Sequence, residues 1–273
     1  MGLHTLPCPL CGQTDSFIDV RVPSGDAHIH KYGALYAGMT KSEWKICGQC
    51  GFVHQNPRPA SEALNKFYMQ SKYHAEPTKA SKEAQLEFAR WYYSEKIDFA
   101  ITHARLECGR VFDIGCGQGE VLKLCEERGW KAYGVEPDQV LSNYAIDELG
   151  LSGVRQGILD RHFEPEEKVD LIFSNHAFEH FADLDEIMRG VKKIVRPSGY
   201  LFIVVPTYLK NKSSLSKRWM NSAHYSLFTH NSLNNLLSRR GFEEVTHTYH
   251  GWKKEVDDLW FLAQFTGAAG DPR

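Results

Sequence analysis

From residue 108 onward, short apolar runs alternate with stretches in which apolar residues recur at helical spacing. The short runs predict buried strands at residues 110–114, 132–135, 154–156, 170–174 and 200–205. The helical spacing predicts helices at residues 119–128, 140–149, 183–195 and 232–240. Strands that alternate with helices pair in parallel through right-handed crossovers, so the pattern predicts an α/β fold with a doubly wound, mostly parallel sheet.

The last two apolar stretches break this alternation. Residues 242–249 and 259–265 both have a strand pattern, and the segment between them is too short for a crossover helix. Two consecutive strands with a short connection pair in antiparallel orientation. We therefore expect an antiparallel hairpin at one edge of the sheet.

Four of the seven cysteines lie near the start of the chain in two copies of one motif. Cys8 and Cys11 form a Cys-x-x-Cys-Gly unit, and Cys47 and Cys50 form another. A two-residue gap lets both sulfurs reach one ion, and four thiolates complete a closed tetrahedral site. The spacing predicts one structural Zn²⁺ ion, with free reduced thiols as the alternative.

Between these cysteines and the alternating region, the pattern is helical. Ser61 is a candidate N-cap for a short helix at residues 62–69, and helical spacing continues over residues 79–106. The sequence therefore predicts three parts. They are a zinc-binding module at residues 1–60, a helical cover or linker at residues 61–107, and an α/β domain at residues 108–273.

Composition and charge narrow the functional class. The net charge of −2 argues against a whole-chain basic field of the kind that binds nucleic acid. No apolar segment reaches the length of a membrane span, and the N-terminus lacks a secretory signal. Seven cysteines without such a signal indicate a reducing compartment, so we expect a cytoplasmic protein.

The first predicted strand of the α/β region runs directly into three glycines, Gly115, Gly117 and Gly119. A strand, a glycine turn and a helix N-terminus bring backbone N–H groups close to a ligand. Glu136 ends the second strand, where a carboxylate can accept hydrogen bonds from ribose hydroxyls. The Gly-x-Gly-x-Gly spacing differs from the Gly-x-Gly-x-x-Gly of nicotinamide dehydrogenases, which are the rival class.

Four motifs in order resemble the class I S-adenosylmethionine-dependent methyltransferases: Val-Phe-Asp-Ile-Gly-Cys-Gly-Gln-Gly, Val-Glu-Pro-Asp, Val-Asp-Leu-Ile-Phe-Ser-Asn-His-Ala-Phe-Glu-His and Val-Arg-Pro-Ser-Gly-Tyr-Leu-Phe-Ile-Val-Val-Pro. The resemblance covers roughly residues 108 to 265 and implies a seven-stranded sheet that ends in an antiparallel strand. It assigns the methionine end, the ribose and the adenine of the cofactor to successive strand ends. The implied cofactor residues are Asp113, Gly115, Cys116, Gly117, Gly119, Glu136, Pro137, Asp160, Asn175 and His176.

Methyl transfer to a hydroxyl or a carbon atom also requires removal of a proton, for which histidine is suited near neutral pH. Two histidines follow predicted strands at the carboxyl edge of the sheet, where open α/β sheets bind ligands. His180 follows the fourth strand, and His224 follows the fifth. Both are candidate bases, and a packing role is the alternative for His180.

A second resemblance concerns the acceptor. The two cysteine pairs, an Asn-Pro-Arg-Pro segment at residues 56–59 and a His-Tyr-x-x-Phe segment at residues 224–228 are similar to the zinc-containing sugar C-methyltransferases. That similarity implies that His224 is the base and that Tyr73 faces the sugar. Ala223 stands where that group has a glutamate, so O-methylation is indicated at least as strongly as C-methylation.

Basic residues in the loop after the fifth strand favour an anionic acceptor, although a solvated basic loop is the alternative. These residues are Lys210, Lys212, Lys217 and Arg218. With Tyr73 and Tyr225, Arg218 completes the predicted substrate-binding set. The sequence thus predicts methyl transfer from S-adenosyl-L-methionine to a small, anionic or sugar-linked metabolite in a biosynthetic pathway, with the zinc module and the helices closing over the acceptor.

Two other functions remain as alternatives. One is an RNA methyltransferase in which the zinc module binds RNA. Residues 1–60 contain five basic and four acidic residues, which is a poor footprint for phosphate binding. The other is a non-catalytic binding subunit with a methyltransferase fold, which would not require the glycine loop together with Glu136.

Overall fold

The N-terminal part of the chain forms two small sheets. The computed structural model describes residues 3–20, 29, 31–36, 39, 41–70, 81–207, 219–251 and 258–267. Its first elements are β1 (Leu3–His4), β2 (Phe17–Val20), α1 (Gly33–Tyr36), β3 (Trp44–Cys47), β4 (Val53–Gln55) and β5 (Arg58–Pro59). Strands β1 and β5 pair with each other, whereas β2, β3 and β4 form an antiparallel sheet.

Two helices follow, α2 (Ser61–Met69) and α3 (Lys82–Ala104). The side chain of Ser81 caps α3 by accepting a hydrogen bond from the backbone N–H of Ala84. Helix α3 packs on a later helix (Glu120–Glu126) and on the last two strands (Phe242–His250 and Asp258–Phe265), so it forms part of the layer on one face of the central sheet. The division of the chain at residue 107 stays a prediction.

The remaining elements form the α/β region. They are β6 (Arg110–Ile114), α4 (Glu120–Glu126), β7 (Lys131–Glu136), α5 (Gln139–Asn143), a π-helical turn (Tyr144–Glu148), β8 (Val154–Gln156), β9 (Val169–Asn175), a 3-10 turn (Phe178–His180), α6 (Leu184–Ile194), β10 (Val195–Pro206), β11 (Ser226–Leu227), α7 (His230–Ser238), β12 (Phe242–His250) and β13 (Asp258–Phe265).

The central sheet has seven strands in the order β12-β13-β10-β9-β6-β7-β8. The pairs from β10 to β8 are parallel, whereas β13 pairs antiparallel with both β10 and β12. The predicted α/β fold, its seven strands and the terminal hairpin at the edge are therefore confirmed. Strand β10 begins at Val195, earlier than predicted, because an irregularity between Val195 and Tyr200 lets the chain enter the sheet directly from α6.

Each face of the central sheet buries its own apolar core. One core packs α6 and α7 against the sheet, and it continues through Phe228 and Phe52 to Cys8 and Cys47. The other packs α3, α4 and the π-helical turn against the opposite face. Along β6, Phe112 and Ile114 face the first core, as expected for alternate residues of a strand.

One strand of the N-terminal sheet comes from the far end of the chain. β11 pairs antiparallel with β4, so that Ser226 lies opposite His54 and Leu227 opposite Val53. The N-terminal sheet therefore has four strands, in the order β11-β4-β3-β2. This pairing was not predicted, because a two-residue strand has no detectable hydrophobic period.

Among the residues that the structure describes, no helix combines the length and the apolar character that a bilayer crossing requires.

Gly119 shows how tightly the glycine loop is packed. Its φ is +87°, and a Cβ at this position would lie 2.4 Å from Leu151 Cδ1 and 3.0 Å from Ala145 Cβ. Gly129 also has a positive φ, +82°, but no heavy atom lies within 4 Å of its Cβ position. Alanine substitutions at the two positions can therefore distinguish the cost of a positive φ from the cost of steric crowding.

We expect Gly129→Ala to lower the free energy of unfolding by about 1–2 kcal/mol through backbone strain alone. Gly119→Ala should cost a further ~1–3 kcal/mol, since it also overpacks the core. Urea unfolding of both variants and the wild type measures the difference. Equal losses in the two variants would show that the contacts around Gly119 do not restrict its size.

Candidate functional site

A cavity of about 330 Å³ opens at the carboxyl ends of β6, β7 and β9. Its floor includes Gly115 and Gly117 from the loop after β6, and Glu136 from the end of β7. Helix α2 lies on another side and contributes Leu64 and Tyr68. The cavity therefore lies between the strand ends of the central sheet and a helix of the preceding segment.

Glu136 joins the glycine loop to the end of β7. Its Oε2 accepts a hydrogen bond from the Gly117 N–H at 2.9 Å, and its Oε1 accepts one from the Asp138 N–H at 2.9 Å. Each carboxylate oxygen has two acceptor sites, so both can accept a further hydrogen bond from a ligand. The left-handed φ of Gly117, +56°, turns its N–H toward this carboxylate.

The carboxyl groups beneath the cavity have raised pKa values. Burial raises the pKa of Glu136 to about 7, although the N–H groups of Asp138 and Gly117 oppose the shift. Burial also raises the pKa of Asp113 well above its usual value, and the nearby Glu136 and Glu120 add to the effect. The charge of Glu136 therefore changes near neutral pH.

The structure brings most of the predicted cofactor residues together. Those that border the cavity are Gly115, Gly117, Glu136, Pro137, Asp160 and His176. The others do not border it. Asp113 in β6 and Cys116 within the loop are buried, Gly119 precedes the first turn of α4, and Asn175 ends β9.

Sequence reasoning missed the contribution of α2 to the cavity. Ser61, Leu64, Asn65 and Tyr68 border it. Tyr68 belongs to the Phe-Tyr pair that precedes Tyr73, and its hydroxyl lies 3.1 Å from that of Tyr32. Helical spacing from Ser61 to Leu64 to Tyr68 places these residues on one face, which is the signal that could have found them.

Of the two candidate bases, only His180 borders the cavity. His224 lies behind it, 9% exposed, and the two ring centroids are 4.8 Å apart. Tyr225 is buried in a cluster with Tyr36 and does not border the cavity, and its role in substrate binding stays a prediction. Tyr73, Arg218 and the basic residues at positions 210–217 lie outside the described residues.

Backbone carbonyls fix the orientation of both histidine rings. His180 Nδ1 lies 2.8 Å from the Ala223 carbonyl oxygen, and His224 Nδ1 lies 2.9 Å from that of Trp219. A carbonyl oxygen can only accept, so each Nδ1 carries its hydrogen. In the neutral rings, the lone pair is then on Nε2.

Glu179 lies among three histidines and is 1% exposed. Its Oε1 is 3.4 Å from His176 Nδ1 and 3.9 Å from His180 Nε2. Burial raises the pKa of Glu179, but the neighbouring imidazoles outweigh burial and lower it to about 2. The structure thus places a carboxylate beside the histidine pair, although Ala223 precedes His224 in sequence.

The same histidines have shifted pKa values. Burial lowers the pKa of His176, but Asp258, 3.3 Å from its Nε2, and Glu179 outweigh burial and raise it to about 9. Burial and the adjacent His180 lower the pKa of His224 to about 3. Near neutral pH, His176 is therefore charged and His224 is neutral.

The four N-terminal cysteines converge as their spacing predicts. The Sγ atoms of Cys8 and Cys50 are 3.7 Å apart, and those of Cys11 and Cys47 are 3.6 Å apart. A tetrahedron with Zn–S bonds of about 2.3 Å has sulfur–sulfur edges of about 3.8 Å. The sulfur positions therefore fit a four-coordinate zinc ion.

Comparisons with known proteins agree with this architecture. The family model described as "Methyltransferase domain" matches residues 68–247. An uncharacterised methyltransferase of Geobacillus kaustophilus is 33% identical over 110 residues, which cover 38% of this chain and 49% of that protein. A ubiquinone biosynthesis O-methyltransferase of Rhizobium etli is 31% identical over 102 residues, which cover 36% of this chain and 41% of that protein. The match thus spans less than half of each of these curated relatives.

Solved structures share the fold at low sequence identity. The 1,6-didemethyltoxoflavin-N1-methyltransferase of Burkholderia thailandensis has a TM-score of 0.55 and 19% identity, over 81% of this chain and 97% of that one. An S-adenosylmethionine-dependent methyltransferase from Mesorhizobium loti has a TM-score of 0.51 and 17% identity, over 66% and 99%. The chain belongs to the methyltransferase-domain family, and it shares its fold with S-adenosylmethionine-dependent methyltransferases.

Proposed function

We propose that this protein transfers the methyl group of S-adenosyl-L-methionine to an oxygen atom of a small, hydroxyl-bearing molecule. The observation that supports this most directly is the position of Glu136, whose two oxygens receive backbone hydrogen bonds beside a cavity floored by Gly115 and Gly117. When bound there, S-adenosyl-L-methionine supplies a methyl group on a positively charged sulfur. The chain itself has to bind, align and activate the two reactants.

The cofactor would lie along the strand ends. Glu136 would accept hydrogen bonds from the ribose hydroxyls, and the bare backbone of the loop at residues 115–119 would hold the methionine end above the buried Asp113. Asp160 would border the adenine, whereas Asn175 and His176 would lie under the methionine end. Cys116 and Pro137 would support the loop and the strand end by packing.

We place His180 at the acceptor because it borders the cavity. The ring of His224 packs against the ring of His180 on the side away from the cavity. The carboxylates that border the same cavity, among them Asp160, Asp183 and Glu186, disfavour a polyanion such as RNA. The O-methyltransferase name of one relative favours oxygen as the methylated atom. A sugar-linked or anionic acceptor, with contacts from Tyr73 and Arg218, stays a prediction.

The N-terminal part would have a structural role. A Zn²⁺ ion at Cys8, Cys11, Cys47 and Cys50 would hold β3 and the first loop together. The cysteines belong to or pack against the apolar core that also contains Phe228 of the α/β region. We therefore propose that residues 1–60 form a zinc-binding module that positions the wall of the acceptor site.

Cofactor affinity should depend on the charge of Glu136. The ionised carboxylate is the stronger hydrogen-bond acceptor, and its pKa is raised to about 7, so affinity should rise with pH. In calorimetric titrations, the wild type should bind S-adenosyl-L-methionine about tenfold more tightly at pH 8 than at pH 6. This difference is counted after subtracting any pH dependence that Glu136→Gln retains. Glu186→Gln, which changes a carboxylate on the same cavity, should keep the wild-type difference. An identical pH dependence in wild type and Glu136→Gln would contradict the assignment.

Removal of the His180 ring should impair turnover and leave the cofactor in place. We expect His180→Ala to lower kcat by about 10²-fold or more, while the affinity for S-adenosyl-L-methionine stays within about twofold. Transfer from methyl-labelled cofactor to a panel of phenols, catechols and sugar derivatives provides the assay. His103→Ala, on the exposed face of α3, is the matched control. Full activity of His180→Ala would place activation of the acceptor elsewhere.

Zinc should bind at the cysteine group and stabilise the fold. We expect about one tightly held Zn²⁺ per chain by elemental analysis after dialysis against a mild chelator. Cys47→Ser should lose this ion and lower the melting temperature, whereas Cys108→Ser, an exposed thiol outside the group, should change neither. Wild-type protein that retains no zinc and has four reactive N-terminal thiols would refute the module.

A further inference from the structure

Behind the cavity wall, three side chains bring metal-ligating atoms together. Glu179, His180 and His224 each offer one such atom, and these atoms all lie within 4.8 Å of one another. Glu179 and His180 come from the turn after β9, whereas His224 comes from the segment before β11. The cluster is distinct from the four cysteines and is not implied by the spacing of any motif.

Both histidines have the hydrogen bonds that metal-binding imidazoles use. A histidine ligand usually donates its other ring N–H to a backbone carbonyl or a carboxylate, which fixes the ring and leaves one nitrogen for the ion. Here the Nδ1 atoms of His180 and His224 donate to the carbonyl oxygens of Ala223 and Trp219. Each ring therefore keeps an Nε2 lone pair for a ligand.

Glu179 adds an independent observation. Its carboxylate is almost completely buried, yet neither oxygen makes a hydrogen bond within the part of the chain that the structure describes. Its closest cation is His176, 3.4 Å from Oε1. Burial of a carboxylate is unfavourable unless a cation or hydrogen bonds compensate it. The carboxylate oxygen and the two imidazole nitrogens, all within 4.8 Å of one another, supply ligands for a positive ion, which would share the carboxylate with His176.

We propose that Glu179, His180 and His224 bind a divalent transition-metal ion whose open coordination positions face the cavity. Two imidazoles and one carboxylate suit ions such as Mn²⁺, Fe²⁺, Co²⁺ and Zn²⁺. His180 borders the cavity, so a ligand there can reach the ion. The proposal rests on the proposed function only for the identity of that ligand, an oxygen of the methyl acceptor.

The ion would activate the acceptor in place of a free base. An acceptor hydroxyl bound to a divalent ion loses its proton to water more readily than a free hydroxyl does. The oxygen lone pair then forms the bond to the methyl carbon, and the electron pair of the broken C–S bond stays on sulfur. His180 and His224 would act as ligands, which agrees with the burial of His224 and with the fixed orientation of both rings.

A second histidine–glutamate group serves as the comparison. His230, Glu244 and His247 also meet, but both oxygens of Glu244 already accept hydrogen bonds, from His230 Nε2 at 2.8 Å and from His247 Nδ1 at 2.7 Å. This group lies between α7 and β12, and Glu244 is partly exposed. Because both carboxylate oxygens of Glu244 already have hydrogen-bond donors, this group should not compete for a metal ion.

The test uses Mn²⁺ alone, because thiolate sites such as the four cysteines bind this ion weakly. Full-length protein with its cysteine site intact is treated with a mild chelator and titrated with Mn²⁺ without cofactor, and free Mn²⁺ is followed by electron paramagnetic resonance. We expect one Mn²⁺ per chain. Glu179→Gln and His224→Gln should each weaken Mn²⁺ binding by more than about tenfold. Loss of a residue that only hydrogen-bonds to a metal ligand already weakens metal binding by about tenfold or more, and loss of a ligand should cost at least as much. Glu244→Gln should bind as the wild type does.

Each other outcome overturns the proposal. These outcomes are no Mn²⁺ binding by the wild type, unchanged binding by Glu179→Gln whose melting temperature and cofactor affinity match the wild type, or loss of binding in Glu244→Gln. Full methyl transfer by the chelated protein would remove the catalytic role of the ion and leave the proposed function intact. Mn²⁺ binding by a protein that does not bind S-adenosyl-L-methionine would instead remove the proposed function and leave the metal site.

Discussion

The hydrogen bond between the Gly117 N–H and the Glu136 carboxylate is the contact on which the site depends. It connects the loop after β6 to the end of the neighbouring parallel strand β7, and it holds a carboxyl group beside the cavity. The loop can make this contact because its glycines adopt left-handed φ values that other residues reach only with strain. Burial then raises the pKa of Glu136 to about 7, which couples the site to pH in the physiological range.

The acceptor side depends on a different constraint, the docking of the N-terminal sheet onto the segment before α7. The side chain of Gln55 donates to the carbonyl oxygens of Asn221 and His224, and the Tyr36 hydroxyl donates to that of Ser222. Strand pairing between β4 and β11 continues the same contact. Residues of the N-terminal part therefore help to set the position of His224, although they lie more than 160 residues away from it in sequence.

The fold was predicted correctly where the sequence contains clear apolar runs or a regular helical spacing of apolar residues. Strands β6 to β9, helix α6 and the hairpin of β12 and β13 were found within a few residues, because buried parallel strands are continuous apolar runs. The glycine loop was found because its left-handed backbone requires glycine, and Glu136 was found from its position at the end of a predicted strand. The sequence did not predict that α2 borders the cavity or that Tyr225 is buried, because both features depend on how distant segments pack.

The sequence by itself determined the α/β alternation, the converging cysteine pairs and the residues around the glycine loop, because each follows from contacts within about 40 residues or from the regular period of an element. Only the tertiary structure decided that His224 lies beside Glu179 and His180, and that His180 borders the cavity while His224 is covered. Those arrangements depend on a chain segment that leaves the central sheet after β10 and pairs with the N-terminal sheet. No local pattern encodes that pairing, because its hydrogen bonds join backbone groups that every residue possesses.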